Sequence, residues 1–291
     1  MTIIKNADFL INKDGSIYHI SLKPEQLADT VIVVGDPDRV EKISHNFSSI
    51  EIKVQNREFI GHTGFYNNKR LTVLSTGIGT DNIDIVMNEL DALVNVDFAT
   101  RTIKPEKKSL DIIRLGTSGA VQPEIPVSSF ALSTIGIGFD NLLHYYAYDR
   151  KIVETEMSEA FMKHTNWNPD LSKPYFVRGS DKLIRLFEKG MHKGITVTAP
   201  GFYGPQGRVL RLGLHDPGLN DKIMSFRFGD ERIINFEMET SALYSLGAML
   251  GHHMVTVCAL IANRATNEYS VDHKQVIQNL VEVVLDRITA A

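Results

Sequence analysis

One cysteine in 291 residues, Cys258, has no partner for an intrachain disulfide. A reducing, cytoplasmic setting is expected. Basic charge is not in excess either: 31 Lys and Arg stand against 35 Asp and Glu, for a formal net charge of -4. That balance argues against nucleic acid or an anionic membrane surface as a partner. No apolar run approaches the roughly 20 residues of a membrane span. The first ten residues lack the apolar core of a signal peptide. No stretch rich in Pro, Gly or Ser divides the chain, and adjacent His252 and His253 do not have metal-ligand spacing. Neither a metal nor a redox cofactor is expected. What remains is an ordinary soluble composition, 43% hydrophobic and 23% charged, long enough to bury a sizeable core.

Strand patterns alternate with helical ones throughout, which predicts one α/β domain over residues 1–291. An irregular arm is expected at 1–17 and a lid or insertion at 210–232. Several predicted strands end in glycine-rich segments. The β-branched run at 31–34 stops at Gly35-Asp36-Pro37-Asp38-Arg39 and leads into a helix, so Gly35 and Arg39 form a candidate anion site or a plain βα turn. Residues 51–59 predict a strand carrying Arg57 and Glu58, followed by a turn at 61–64. A strand at 70–75 runs into Thr76-Gly77-Ile78-Gly79-Thr80 and a helix. The strand with Arg114 is predicted to end in a turn, Gly116-Thr117-Ser118-Gly119-Ala120. Its exposed N–H groups and hydroxyls suit an anion. The glycine spacing is not that of a nucleophile elbow.

Two further stretches carry polar chemistry. In Gly201-Phe202-Tyr203-Gly204-Pro205-Gln206-Gly207-Arg208, an amide and a guanidinium stand two residues apart in an aromatic loop. That pair can read the edge of a planar heterocycle; an ordinary mobile loop is the alternative. In Asn235-Phe236-Glu237-Met238-Glu239, two carboxylates flank a methionine before an apolar helix. They suit a polyhydroxylated ligand, with the thioether as an apolar wall. Taken alone, helix-end acids complementing the dipole are the simpler reading.

In combination, Gly35-Asp36-Pro37-Asp38-Arg39-Val40-Glu41-Lys42-Ile43, Ser75-Thr76-Gly77-Ile78-Gly79, Arg114-Leu115-Gly116-Thr117-Ser118-Gly119-Ala120-Val121-Gln122 and Phe236-Glu237-Met238-Glu239 resemble the nucleoside phosphorylase-I family. Gln206, Arg208, Asn263-Arg264 and Glu268 are similar to its uridine-cleaving branch. The resemblance implies a mixed, partly barrel-like central sheet flanked by helices. It also implies the reaction of a nucleoside with inorganic phosphate as co-substrate. By motif, Gly35, Arg39, Arg114 and Thr117 would hold phosphate, with Ser118 and Gly119 in support. Arg57 would reach the phosphate of a neighbouring subunit and His19 the neighbour's ribose 5′-hydroxyl, so a dimer or hexamer is implied. Met238 and Glu239 would hold ribose. Phe202, Gln206 and Arg208 would bind the base, backed by Arg264, while Glu237 would shape the loop or hold Arg208. Glu58 and Ser75 match positions that hold a monovalent cation in some members. The chain departs from the pattern at Gly207, where an acidic residue is expected, at Thr198-Ala199-Pro200-Gly201 and over 210–232. The competing readings are a purine phosphorylase, a nucleoside hydrolase and a non-catalytic nucleoside-binding module.

Overall fold

Thr30–Val34 is rich in β-branched residues and forms β1, a strand buried at every position. In the computed structural model, which describes residues 3–290, β1 lies inside a mixed 12-stranded sheet. The chain continues through α1 (Pro37–Ser44), β2 (Ser49–Asn56), β3 (Phe59–Tyr66), β4 (Lys69–Ser75) and α2 (Thr80–Asn95). A separate two-stranded ribbon follows, β5 (Val96–Asp97) with β6 (Thr102–Ile103). Then come β7 (Asp111–Ala120), β8 (Phe130–Gly138), α3 (Thr155–Thr165), β9 (Tyr175–Arg178), α4 (Asp181–Phe187) and β10 (His192–Thr198). The last third holds α5 (Leu219–Ser225), β11 (Arg227–Phe228), β12 (Glu231–Glu237), α6 (Thr240–Leu250), β13 (His253–Asn263), β14 (Glu268–Tyr269) and α7 (His273–Thr289).

The sheet closes on itself in part. β12 pairs with β10 in parallel and with β7 antiparallel, so β12, β10, β8, β13 and β7 form a ring. From β7 the sheet runs outward through β1, β4, β3 and β2 as an open wing. Ala120, Ala131, Ile234, Cys258 and Leu260, from four of the ring strands, form one small buried cluster. A narrow ring leaves little interior for side chains. Larger cores lie outside it: α2 and α6 cover one region, α1, α4 and α7 a second, and α3 with α5 a third. The expected mixed, partly barrel-like sheet with flanking helices is therefore present. No helix among the described residues is long and apolar enough to cross a membrane.

Several local expectations need correction. Residues 51–59 are not one strand: β2 ends at Asn56 and β3 starts at Phe59, with Arg57 (φ 54°) and Glu58 at the hairpin tip. The glycines at 61 and 64 lie inside β3 rather than in a turn; a Cβ on Gly64 would meet the Ser49 carbonyl at 2.2 Å. The Gly116–Ala120 segment is likewise strand, paired with β13 and finally with β12. Of the arm, Met1 and Thr2 lie outside the described residues. The rest is irregular apart from a bridge between Ile11 and Ile17, yet Phe9 and Ile17 are core residues. Residues 210–232 do not behave as one insertion: Ile223 and Phe226 are fully buried against β10 and β12, and 209–217 form the irregular part.

Candidate active site

The ends of β1, β7, β12 and β13 converge on a cavity of about 560 Å³. Gly35, Arg39, Arg114, Thr117, Ser118, Gly119, Phe202, Gln206, Arg208, Glu237, Met238 and Glu239 all line it. Residues from four separate stretches of sequence thus meet at one place.

On the β1 side, Asp36 caps α1 by accepting from the Asp38 N–H at 3.0 Å, and Pro37 starts the helix. This sets Arg39 in the first turn, buried, with Nη1 donating to the Leu115 carbonyl at 3.2 Å. Burial pushes the Arg39 pKa down; Asp36 counters this and the charge on Arg114 adds to it. Arg114 emerges from β7 and folds back over Gly116. A Cβ at that glycine would meet Nη1 at 2.2 Å, so the missing side chain is what lets the guanidinium lie there.

Arg114 is held by both carboxylates of the Glu237-Met238-Glu239 stretch. Its Nη2 bonds the Glu239 carboxylate, and Nη1 lies 3.3 Å from Glu237 Oε2 and 3.4 Å from Cys258 Sγ. Burial works against the charge on Arg114, but Glu239 and Glu237 outweigh it and raise its pKa. Burial also pushes the Glu239 carboxyl up, with Arg114 opposing and Glu237 reinforcing the shift. The second Glu239 oxygen accepts from the Gly79 N–H at 2.8 Å, at the start of α2. Glu237 accepts from the main-chain N–H groups of Glu239 (2.9 Å) and Thr240 (3.0 Å) and from Thr198 Oγ1 (2.7 Å). Its work is thus to cap α6 and clamp Arg114; the expectation that it holds Arg208 is not met. Ser118 Oγ accepts from Asn235 Nδ2 at 2.8 Å.

The opposite wall is built from loops. Arg208 stacks on Phe202, its guanidinium carbon 3.8 Å from the ring centre, and donates to Gln206 Oε1 at 2.6 Å. Asn220 Nδ2 donates to the Gln206 carbonyl at 3.0 Å, and Arg264 Nη2 donates to the same oxygen. Gly207, at φ 71°, makes room for this: a Cβ there would strike Asn220 Nδ2 at 2.0 Å. The absent acidic residue and the unfamiliar segment after it therefore fit each other. Arg264 also lies over Phe236, and its Nη1 is buried with no acceptor among the described residues. Burial, and then the like charge on Arg208, push Arg264 down to about 10, still charged at neutral pH.

Five expected residues do not line this cavity: Arg264 lies behind the Gln206 carbonyl, and His19, Arg57, Glu58 and Ser75 lie elsewhere. His19 lies on another part of the surface near the hairpin that carries Arg57: Asn56 Nδ2 donates to the Tyr18 (3.1 Å) and His19 (2.9 Å) carbonyls. Ser75 Oγ donates to the Glu58 carbonyl at 2.5 Å and accepts from the Ile60 N–H at 2.7 Å, so this hydroxyl is occupied by the hairpin. Sequence reasoning missed the rim residues Ile78 and Tyr269, both exposed beside the cavity. Ile78 had a signal, an apolar side chain between two loop glycines. Tyr269 and Asn220 had none, because their positions depend on long-range packing.

With this geometry in hand, the chain compares with known proteins as follows. Residues 29–290 match the family model described as the phosphorylase superfamily. A uridine phosphorylase of Thermococcus kodakarensis is 30% identical over 265 residues, 88% of this chain and 81% of that protein. A DeoD-type purine nucleoside phosphorylase of Bacillus cereus is 26% identical over 275 residues, 92% of this chain and 97% of that protein. A crystal structure of a Trypanosoma brucei nucleoside phosphorylase, described as showing uridine phosphorylase activity, superposes with a TM-score of 0.84 at 28% identity. It covers 98% of this chain and 100% of that one. The chain belongs to the phosphorylase superfamily.

Proposed function

We propose that this protein is a pentosyltransferase that cleaves uridine with inorganic phosphate, giving uracil and ribose 1-phosphate. The observation that carries the pyrimidine reading is the pair Gln206 and Arg208 in the cavity that also holds Arg39, Arg114 and Glu239, backed by Arg264, which donates to the Gln206 carbonyl and keeps Nη1 buried without an acceptor among the described residues. A buried cationic donor gains most from an acceptor that becomes negative. Uracil leaving as an anion supplies one. The purine-cleaving pattern instead places an aspartate in the loop after the strand that corresponds to β13, where this chain has Arg264.

Phosphate is a weak nucleophile that needs placement more than activation. Arg39, Arg114 and the Gly35 and Thr117 main chain orient it, with Ser118 and Gly119 shaping the floor. One phosphate oxygen forms the bond to C1′ as the bond from C1′ to the base nitrogen breaks. The bonding pair goes to the base, where Gln206, Arg208 and Arg264 stabilise it. Glu239 accepts from ribose hydroxyls and Met238 supplies the apolar wall. The sugar passes through a cationic state beside the phosphate dianion and Glu239. His19 and Arg57, near one hairpin and outside their own cavity, serve the site of a second copy. No metal or redox step enters this scheme.

Incubation with uridine, thymidine and inosine, with and without phosphate, tests the reading. Phosphate-dependent release of uracil is expected. Release of hypoxanthine in preference to uracil would move the assignment to purines, and release without phosphate would make the protein a hydrolase.

A further inference from the structure

Glu89, on α2, is assigned no part in the scheme above, yet it makes four contacts with one short segment. Oε1 lies 2.6 Å from His19 Nδ1. The His19 N–H lies 3.1 Å from Oε1 and 3.0 Å from Oε2, and the Ile20 N–H donates to Oε2 at 2.9 Å. A carboxylate has only lone pairs to offer, so the proton of this pair sits on Nδ1. In the neutral ring the remaining lone pair is then on Nε2. Nε2 has no partner among the described residues, and the side chain keeps 24% of its surface exposed. The ring cannot easily turn. Tyr18 packs edge-on at 4.7 Å, Phe59 flanks it at 6.3 Å, and Asn56 pins the carbonyls on either side.

We propose that Glu89 is a positioning residue that fixes both the orientation and the tautomer of His19, leaving Nε2 as an acceptor for the primary hydroxyl of a pentose. The inference rests on the reading that His19 meets the 5′-hydroxyl of a nucleoside bound by a second copy. It adds a specificity to that reading: a free 5′-hydroxyl, which can donate a hydrogen bond, is selected over a 5′-deoxy sugar.

Glu89→Gln is the informative variant. Its amide oxygen can still accept from the two main-chain N–H groups, while its NH2 can donate to Nδ1. The ring proton then moves to Nε2, and the 5′-hydroxyl must turn from donor to acceptor against a ring that has lost its charged partner. Kinetics with uridine and 5′-deoxyuridine read the effect. Wild type should favour uridine, and Glu89→Gln should lose roughly tenfold in kcat/KM on uridine, about one hydrogen bond's worth. On 5′-deoxyuridine it should stay within about twofold of wild type by the same argument. Equal losses on both substrates would overturn the proposal and leave Glu89 as an anchor for the arm. So would a wild type that does not discriminate between the two sugars. Long-range 1H–15N spectra of histidine-labelled protein give a readout independent of turnover. The expected result is Nδ1–H in wild type and Nε2–H in the variant. An Nε2–H tautomer in wild type overturns the proposal even where uridine phosphorolysis holds, and the expected tautomer with no uridine turnover would place the fault in the functional reading instead.

Discussion

The two walls of the cavity are built differently. The phosphate and ribose wall comes from strand ends and helix starts; Arg114, Glu237 and Glu239 are buried and bonded to one another before any substrate arrives. The base wall comes from the loop at 201–208 and the segment after β13, with Phe202, Tyr203 and Tyr269 exposed and Arg264 Nη1 lacking an acceptor. On the proposed reading, the first wall handles groups common to every nucleoside phosphorolysis and is preorganised for them. The second meets the part of the substrate that varies, and its loops can change without disturbing the sheet. The contrast teaches that chemistry and selectivity reside here in separable pieces of backbone.

Substitutions can break or sharpen that contrast. Arg114→Ala should have the largest effect. It removes a proposed phosphate ligand and strands two buried carboxylates, so kcat/KM should fall on the order of 10³-fold. Stability should drop by about 3–5 kcal/mol, because a buried pair broken on one side leaves uncompensated charge. Steady-state kinetics and denaturant melts measure the two losses; a variant of near-normal stability would show that the Glu237–Glu239 pair does not depend on Arg114. Arg264→Ala should cost uridine turnover on the order of 10²-fold with a smaller loss of stability than Arg114→Ala, since the bond to the Gln206 carbonyl and the contact with Phe236 go but a buried donor without an acceptor goes with them. Equal losses on uridine and inosine would erase the distinction between the walls.

A pH profile addresses the first wall alone. Glu239 must be ionised to pair with Arg114 and, on the proposed reading, to accept ribose hydroxyls. Its pKa is raised above the ordinary 4.5, chiefly by burial. Lowering the pH therefore protonates it early, and kcat/KM should begin to fall at a pH above 4.5; Glu239→Gln should be slow throughout and lack that limb. The smallest effect is expected for Asn220→Ala. The Gln206 carbonyl loses one donor and keeps Arg264, so KM for uridine should rise by roughly threefold to tenfold while kcat changes little. A larger fall in kcat than in KM would mean that the base loop shares in the chemistry of the other wall.

Much of this architecture can be read from the sequence where local chemistry decides the structure. The β-branched run, Asp36 as cap and Pro37 at the helix start make the β1–α1 turn legible, and with it Arg39. The Glu237-Met238-Glu239 stretch is legible as a strand meeting a helix. The Gly116–Ala120 segment is not, because glycines beside hydroxyls resemble a turn. Gly116 is small for another reason, the passage of the Arg114 side chain over a continuous strand. Arg57 at a hairpin tip was hidden because the tip carries neither Gly nor Pro, although the alternation stops after Val54 and Asn56 stands beside it. The pairing of β12 with β7, which closes the ring, joins residues more than 100 positions apart and leaves no local trace. Glu89 was missed for the same reason: its partner lies 70 residues away on an irregular arm.

The pairing inside the phosphate wall also has a consequence for affinity. One chain sets Arg39 and Arg114 beside Glu237 and Glu239, so the formal charge of that quartet is zero. An incoming dianion then meets aligned donors rather than a positive field, and long-range attraction contributes little to its capture. On the reading that Arg57 of a second copy completes the site, assembly alone makes the site electropositive. Phosphate affinity then becomes a function of the protein's own concentration, and dilution mimics the removal of a co-substrate.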